Sequence, residues 1–303
     1  MTVLAVAVGV GADQLVGEPS DALHPVAWFG RVMAALERRL WAHERGAGVV
    51  FCAAGVVTGA VVGAALTRLV GRPAATALAT WVAVAGRMLD DEALAVTDLL
   101  AVGDLPGARR RVRSLVGRDV ESLDEAGIVR ATIESVAENT TDAVVAPICW
   151  AVVAGAPGVL AYRAANTLDA MVGHRCARYR RFGWASARLD DVANALPARV
   201  AALAVAAVRP WRTRQILRAV VVDAPAHPSP NAGVVEAAFA GALAVRLGGT
   251  NRYAGRSERR GWLGEGRAPA IADVHRAVAL RRHATGALVI ALAADATRRR
   301  HIA

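Results

Sequence analysis

The chain has 303 residues, 55% of them hydrophobic, 5% aromatic and 20% charged, and a soluble globular chain of this length is rarely so apolar. Every one of the 36 basic residues is arginine, against 26 acids, so the formal charge is +10. Scarce aromatics and the lack of a recognised binding motif argue against nucleic acid as a partner. The basicity has two readings: a coding bias that favours arginine, or attraction to anionic lipid, nucleotide or polycarboxylate.

Residues 1–16 predict a short apolar helix, without the basic region or cleavage site of a signal peptide. A loop rich in Pro and Gly follows, holding Asp13-Gln-Leu-Val-Gly-Glu-Pro19 and Leu23-His-Pro-Val26. His24 within it is either a substrate contact or a turn residue, and position alone favours the turn. Residues 31–45 predict a basic amphipathic helix carrying Trp41, as found at membrane surfaces. Residues 46–67 hold no charge and are bracketed by Arg45 and Arg68. About 20 apolar residues span a bilayer, so this is the strongest transmembrane segment. A second apolar run, 73–89, would complete a helical hairpin in the membrane, and further apolar character lies at 284–297. The three cysteines, Cys52, Cys149 and Cys176, fit neither a zinc spacing nor a disulfide framework and read as small hydrophobes.

From Asp90 to residue 125 the chain turns polar, with the run Arg109-Arg-Arg-Val-Arg113, usually a solvated face. Residues 127–147 are the most informative stretch. Ile128, Val129, Ile133 and Val136 recur at helical spacing. Glu134, Glu138 and Asp142 stand four apart with Arg130 a turn earlier, which puts three carboxylates and a guanidinium on one stripe of a regular helix. Such a stripe is either a solvated acidic face or a site that takes a cation; Mg²⁺ with phosphate oxygens suits carboxylate and amide oxygens, including those of Asn139 at the helix end.

Residues 143–162 are uncharged, but Gly155-Ala-Pro-Gly158 interrupts them and predicts a re-entrant or buried helical hairpin. Two further oxygen-rich stripes follow: Arg163, Asn166 and Asp169 at spacings of three, then Asp190, Asp191 and Asn194 ahead of Pro197. Residues 195–208 predict a short apolar helix. Ser229 before Pro230 is a strong helix start for residues 231–247, and free N–H groups at that end with Asn231 suit an anion. The glycine-rich run 248–255 lacks the Lys-Ser/Thr of a P-loop.

These blocks in this order resemble the adenosylcobinamide-phosphate synthases of cobalamin biosynthesis, the CobD/CbiB family, across nearly the whole chain. The matching pieces are Asp13 to Pro19 with His24-Pro25-Val26, Glu134-Ser-Val-Ala-Glu-Asn-Thr-Thr-Asp142, and Asn166-Thr-Leu-Asp169. Phe182-Gly-Trp-Ala-Ser-Ala-Arg-Leu-Asp-Asp191 and His227-Pro-Ser-Pro-Asn-Ala-Gly233 with Glu236 complete the set. The resemblance implies an all-α, polytopic helical integral membrane protein, one domain over 1–303, multi-pass in the cell membrane. It implies an ATP-dependent amide-forming ligase that joins (R)-1-amino-2-propanol or its O-phosphate to a carboxylate of adenosylcobyric acid, with ATP and Mg²⁺ as cofactors. Membrane lipid is a partner, and a homo-oligomer or a complex with other late cobalamin-pathway enzymes is compatible with it.

On that footing Glu134, Glu138, Asp142 and Asp169 are the expected catalytic carboxylates. Glu134, Glu138, Asn139, Asn166, Asp190 and Asp191 are the expected metal ligands. Ser229 and Asn231 would hold phosphate with Arg130 and Arg163 assisting, and His24 and His227 would meet the corrinoid. Helical loops on the cytoplasmic side would form the site, because ATP and arginine-rich loops belong there. The alternative class is a non-catalytic polytopic membrane protein, a transporter or sensor of related fold. A transporter would place its ionisable residues mid-span, whereas here they cluster at the ends of apolar runs.

Overall fold

In the computed structural model, which describes residues 2–19, 22–174, 176–253 and 256–302, the chain is overwhelmingly helical. In order, the helices are α1 (Thr2–Val16), α2 (Pro25–Leu40), α3 (Arg45–Val70), α4 (Arg72–Ala83), α5 (Gly86–Ala101), α6 (Leu105–Val112) and α7 (Glu125–Thr140). A π turn, Thr141–Val145, leads to α8 (Ala146–Val172), α9 (Tyr179–Phe182), α10 (Trp184–Val208), α11 (Thr213–Arg218) and α12 (Ala232–Leu243). An antiparallel pair, β1 (Leu247–Tyr253) and β2 (Arg256–Leu263), precedes the long α13 (Ile271–Ile302). Four helical stretches among the described residues are long and apolar enough to cross a membrane: Arg45–Val70, Glu125–Val172, Trp184–Val208 and Ile271–Arg298.

The chain divides into two compact units. The first comprises residues 1–86, 142–196 and 292–303, and the second 87–141 and 197–291. The first is built around α3, whose pattern inverts that of a soluble helix. Val49, Val50, Val57, Val61, Val62 and Leu69 face outward, while Gly48, Gly55, Gly59 and Gly63 face inward. In hydrocarbon an apolar exterior costs nothing, and small residues let backbones approach closely. A Cβ on Gly59 would stand 2.5 Å from the Leu160 carbonyl oxygen, and one on Gly63 2.6 Å from Ala156, so α8 lies directly on the glycine stripe.

Helix α8 is not one rod. Twenty residues of helix rise about 30 Å, yet the Tyr162 hydroxyl oxygen lies 3.0 Å from the Asp142 carbonyl oxygen. The chain therefore doubles back, and it does so at Gly155, whose φ of 63° and ψ of −151° only glycine adopts readily. Gly158 lets the two arms meet, because a Cβ there would stand 2.8 Å from the Trp150 carbonyl oxygen. The apolar run expected at 73–89 is likewise broken: α4 stops at Ala83, Val84 is extended, and the Ala85 amide donates to Ala143 O at 3.0 Å before α5 begins. The run at 195–208 is the second half of α10, a helix of 25 residues that continues through Pro197. Pro197 has no N–H to offer the carbonyl four residues back. Trp150 Nε1 donates to that Ala193 carbonyl instead, at 3.2 Å.

In the second unit α7 begins at Glu125, capped by Asp124 Oδ1 accepting from the Gly127 amide at 2.8 Å. The glycine-rich run after residue 247 forms the β1–β2 hairpin, with Gly248 and Gly249 at φ near +90° and a bulge between them. Asp90 of α5 is fully buried and holds α13 through Arg281 Nε at 2.7 Å and Arg282 Nε at 2.6 Å. The helix of the last apolar segment therefore starts at Ile271, well before residue 284.

Candidate functional site

The polar residues singled out in the sequence gather into two clusters, one in each unit. In the first unit the hairpin at Gly155 brings Asp142 beside the returning arm of α8. Asn166 Nδ2 lies 3.4 Å from Asp142 Oδ2 and 3.2 Å from Asp190 Oδ1, so the two carboxylates face each other across one amide. Asn194 Nδ2 donates to the other Asp190 oxygen at 3.0 Å, and the Tyr162 hydroxyl donates to Asn194 Oδ1 at 2.9 Å. Arg163 reaches Asn166 Oδ1 at 3.4 Å, while its Nε is buried without a hydrogen-bond partner among the described residues. Among the described residues Asp190 is thus met by amides and by no arginine within ion-pair distance. Oxygen donors of this kind, one or two carboxylates with amide oxygens, fit Mg²⁺ carried on a phosphate.

The other residues expected in this unit have contacts of their own. Asp191 is paired with Arg188 at 3.2 Å. Asp169 sits in the last turn of α8, where its carbonyl accepts from Gly173 N at 2.7 Å. His24 is buried and caps α2, its Nδ1 accepting from Val26 N at 3.1 Å and its Nε2 lying 3.2 Å from Glu18. These contacts give His24 the turn role that its position before Pro25 suggests.

In the second unit Glu134 is buried and fully engaged. Arg118 donates to Oε2 at 2.6 Å, Gly248 N donates to Oε1 at 2.7 Å, and Arg130 Nε stands 3.8 Å from Oε1. The carboxylate thereby ties the loop before α7 and the first strand to α7 itself. Glu236, also buried, lies 3.5 Å from His227 Nε2, which in turn lies 3.1 Å from Arg260. Burial pushes the Glu236 carboxyl well above the usual carboxylate range; Glu134 and Glu138 add to the rise, and Arg260 and Arg118 oppose it.

Glu138, by contrast, is exposed. Asn139 turns its amide back along α7 to Ser135, at 3.0 Å to the carbonyl and 3.2 Å to the hydroxyl. Ser229 Oγ accepts from the amides of Asn231 and Ala232 at 3.3 and 3.1 Å, so the helix start offered to an anion is capped by its own hydroxyl. Asn231 Oδ1 accepts from Arg199 at 2.6 Å.

The stripe of three carboxylates expected on one regular helix does not form as such. The π turn at Thr141–Val145 adds a residue to the repeat after α7, and Asp142 belongs to the first unit while Glu134 and Glu138 belong to the second. Among the described residues no three His, Cys, Asp or Glu side chains form a ready-made metal group. Tyr162, Asn194, Glu236, Arg118 and Arg260 are members that the site list from the sequence lacks. Asn194 was legible, four residues from Asp190 on one helix face. So was Glu236, the sole charge in the apolar helix 232–243. Arg118 and Arg260 carried no signal, since their partners are distant in sequence.

With this geometry in view, the comparisons with known proteins are specific. The family model described as CobD/Cbib protein matches residues 6–281. Curated relatives named "Cobalamin biosynthesis protein CobD" include one from Mycobacterium tuberculosis, 50% identical over 95% of this chain and 94% of its own. One from Rhodobacter capsulatus is 45% identical over 94% of each chain. One from Geobacter metallireducens is 41% identical over 94% of this chain and 93% of its own. No solved structure matches the chain.

Proposed function

The chain belongs to the CobD/Cbib family of cobalamin biosynthesis, and from that premise we propose that it forms the amide between a side-chain carboxylate of adenosylcobyric acid and (R)-1-amino-2-propanol or its O-phosphate. ATP drives the step. A corrin carboxylate oxygen attacks the terminal phosphorus and ADP leaves; the amine nitrogen then attacks the acyl carbon, inorganic phosphate leaves, and the ammonium proton passes to a protein carboxylate. The product is adenosylcobinamide or its phosphate.

The observation that carries this reading is the Asp142–Asn166–Asp190 cluster, two carboxylates across one amide, with no arginine within ion-pair distance of Asp190 among the described residues. Asp190, met there by amides, keeps negative charge in reserve for a cation. Asp142, Asn166 and Asp190 would hold Mg²⁺, which neutralises the triphosphate when bound. Tyr162 and Asn194 orient Asp190 by occupying its second oxygen in series. In the second unit Glu134 holds Arg118 and Arg130, and to exposed Glu138 we assign the proton of the incoming amine. We assign the site to the cytoplasmic face, the side expected for ATP and arginine-rich loops.

The test is product formation by protein reconstituted in lipid. It would be mixed with adenosylcobyric acid, Mg·ATP and either amine, and the amide followed by mass spectrometry. ATP-dependent product with one amine establishes the ligase and its substrate. Folded protein that makes no product with either amine belongs to the transporter or sensor class.

A further inference from the structure

Three chain ends meet at one rim of the first unit: the end of α2, the start of α3 and the segment from α9 into α10. Glu37 of α2 accepts from Tyr179 Oη at 2.9 Å and from Arg178 at 3.1 Å. The Arg178 guanidinium stacks on Trp41 with 4.7 Å to the ring centroid. Arg45, the first residue of α3, stacks on Trp184, the first residue of α10, at 5.1 Å. A Cβ on Gly48 would collide with the Phe182 backbone, and beneath these contacts lies the apolar cluster of Met33, Phe51, Leu168, Val172 and Phe182. The rim is therefore rigidly held.

Its charge is mostly positive, although exposed Glu44, the residue that opens α3, also lies there. Arg38, Arg39, Arg180 and Arg181 are all exposed on it, and none makes an ion pair or hydrogen bond among the described residues. Glu37 is already committed to Arg178 and Tyr179. Trp41 and Trp184 are exposed as well, at 37% and 40%, beside the starts of two apolar helices long enough to cross a membrane. Tryptophan favours the membrane–water boundary, where its ring sits at headgroup level. Four unpartnered guanidiniums at the same level meet the phosphodiesters of lipid headgroups, with which arginine forms paired hydrogen bonds.

We propose that this rim binds anionic phospholipid headgroups, Arg38, Arg39, Arg180 and Arg181 holding the phosphates and Trp41 and Trp184 seating the glycerol level. The site shares no residue with the two acidic clusters and does not depend on the reaction proposed above.

The experiment uses the full chain in bilayer nanodiscs of phosphatidylcholine mixed with phosphatidylglycerol, and native mass spectrometry counts the lipids that stay bound on release. The wild-type chain retains phosphatidylglycerol over phosphatidylcholine. R38Q/R39Q/R180Q/R181Q lowers that preference by about tenfold or more, since each arginine near an anionic surface contributes on the order of a fivefold factor. The matching Arg→Lys variant keeps most of it, which separates lost charge from lost fold. Soluble glycerol 3-phosphate leaves the bound phosphatidylglycerol in place; its displacement of the lipid would reassign the rim to free phosphates. Equal retention of both lipids by the wild type, or an unchanged preference in the glutamine variant, overturns the proposal.

Discussion

The two acidic clusters solve the same electrostatic problem in opposite ways. Around Glu134 the second unit supplies Arg118 and Arg130, so its negative charge is matched by guanidinium, while nearby Glu236 stands against His227 and is pushed up by burial. Around Asp190 the described residues of the first unit supply amides and, through Asn194, a hydroxyl, with no guanidinium paired to it. A buried carboxylate matched by guanidinium is a finished structural element. One matched only by dipoles keeps an unspent demand for positive charge, and the second kind is where a metal–phosphate complex gains most.

The comparison breaks most sharply at Arg118. Replacing it by methionine leaves Glu134 buried without its main partner and costs about 3–5 kcal/mol of stability. Thermal unfolding in detergent checks this, and R118M/E134Q regains a good part of the loss because the orphan charge is gone. The amide cluster answers differently. D190N keeps a neutral, same-sized side chain, so unfolding temperature changes little while product formation falls about 10²–10³-fold. Full activity in D190N would remove the cluster from the reaction.

A subtler break acts through the backbone. Gly155→Ala places a side chain where φ is 63° and costs about 1–3 kcal/mol; it loosens the return arm that carries Tyr162 and Asn166, leaving Arg118 and Glu134 untouched. Turnover should therefore fall further than stability alone accounts for, measured as residual activity of the folded fraction. The smallest effect is a pH dependence at Glu236. Its folded pKa is raised above the unfolded value near 4.5, so the folded state holds a proton that the unfolded chain releases. The contribution is complete below that value and is lost as pH rises toward the folded pKa. E236Q cannot titrate, so its unfolding temperature gains on the wild type as pH is raised through this range. Parallel curves for the two proteins would show that Arg118 and Arg260 already hold Glu236 charged.

Much of the architecture could be read from residues alone. The uncharged run between Arg45 and Arg68 is α3 to within a few residues, because an apolar stretch of span length has few other fates. Ser229 before Pro230 marked the start of α12, since cap chemistry is local, although that helix stops at Leu243. What failed were inferences that carry one helical repeat too far. Four-residue spacing through Asp142 presumes 3.6 residues per turn, and the π turn at residue 141 removes that premise. The hydropathy of 73–89 gave no hint of the break at Val84, where the chain leaves helix so that Ala85 can bond Ala143. Strand pairing of 247–253 with 256–263 was hidden in a glycine-rich run, and Arg118 and Arg260, beside Glu134 and Glu236, come from distances no periodicity reports. The polar residues were found; their division into two clusters was not.

The glycine face of α3 also bears on how the protein is made. With valines outward and its mid-span backbone groups bonded within the helix, α3 can leave the translocon and reside in lipid alone. The α8 arm emerges later and sets the carbonyl of Leu160 and the turn of Ala156 directly against Gly59 and Gly63. Helix α3 is thus a template already in place when the hairpin arrives. Gly59→Ile should leave insertion of α3 intact yet deny the hairpin its seat, giving a chain that reaches the membrane and is then cleared by quality-control proteolysis.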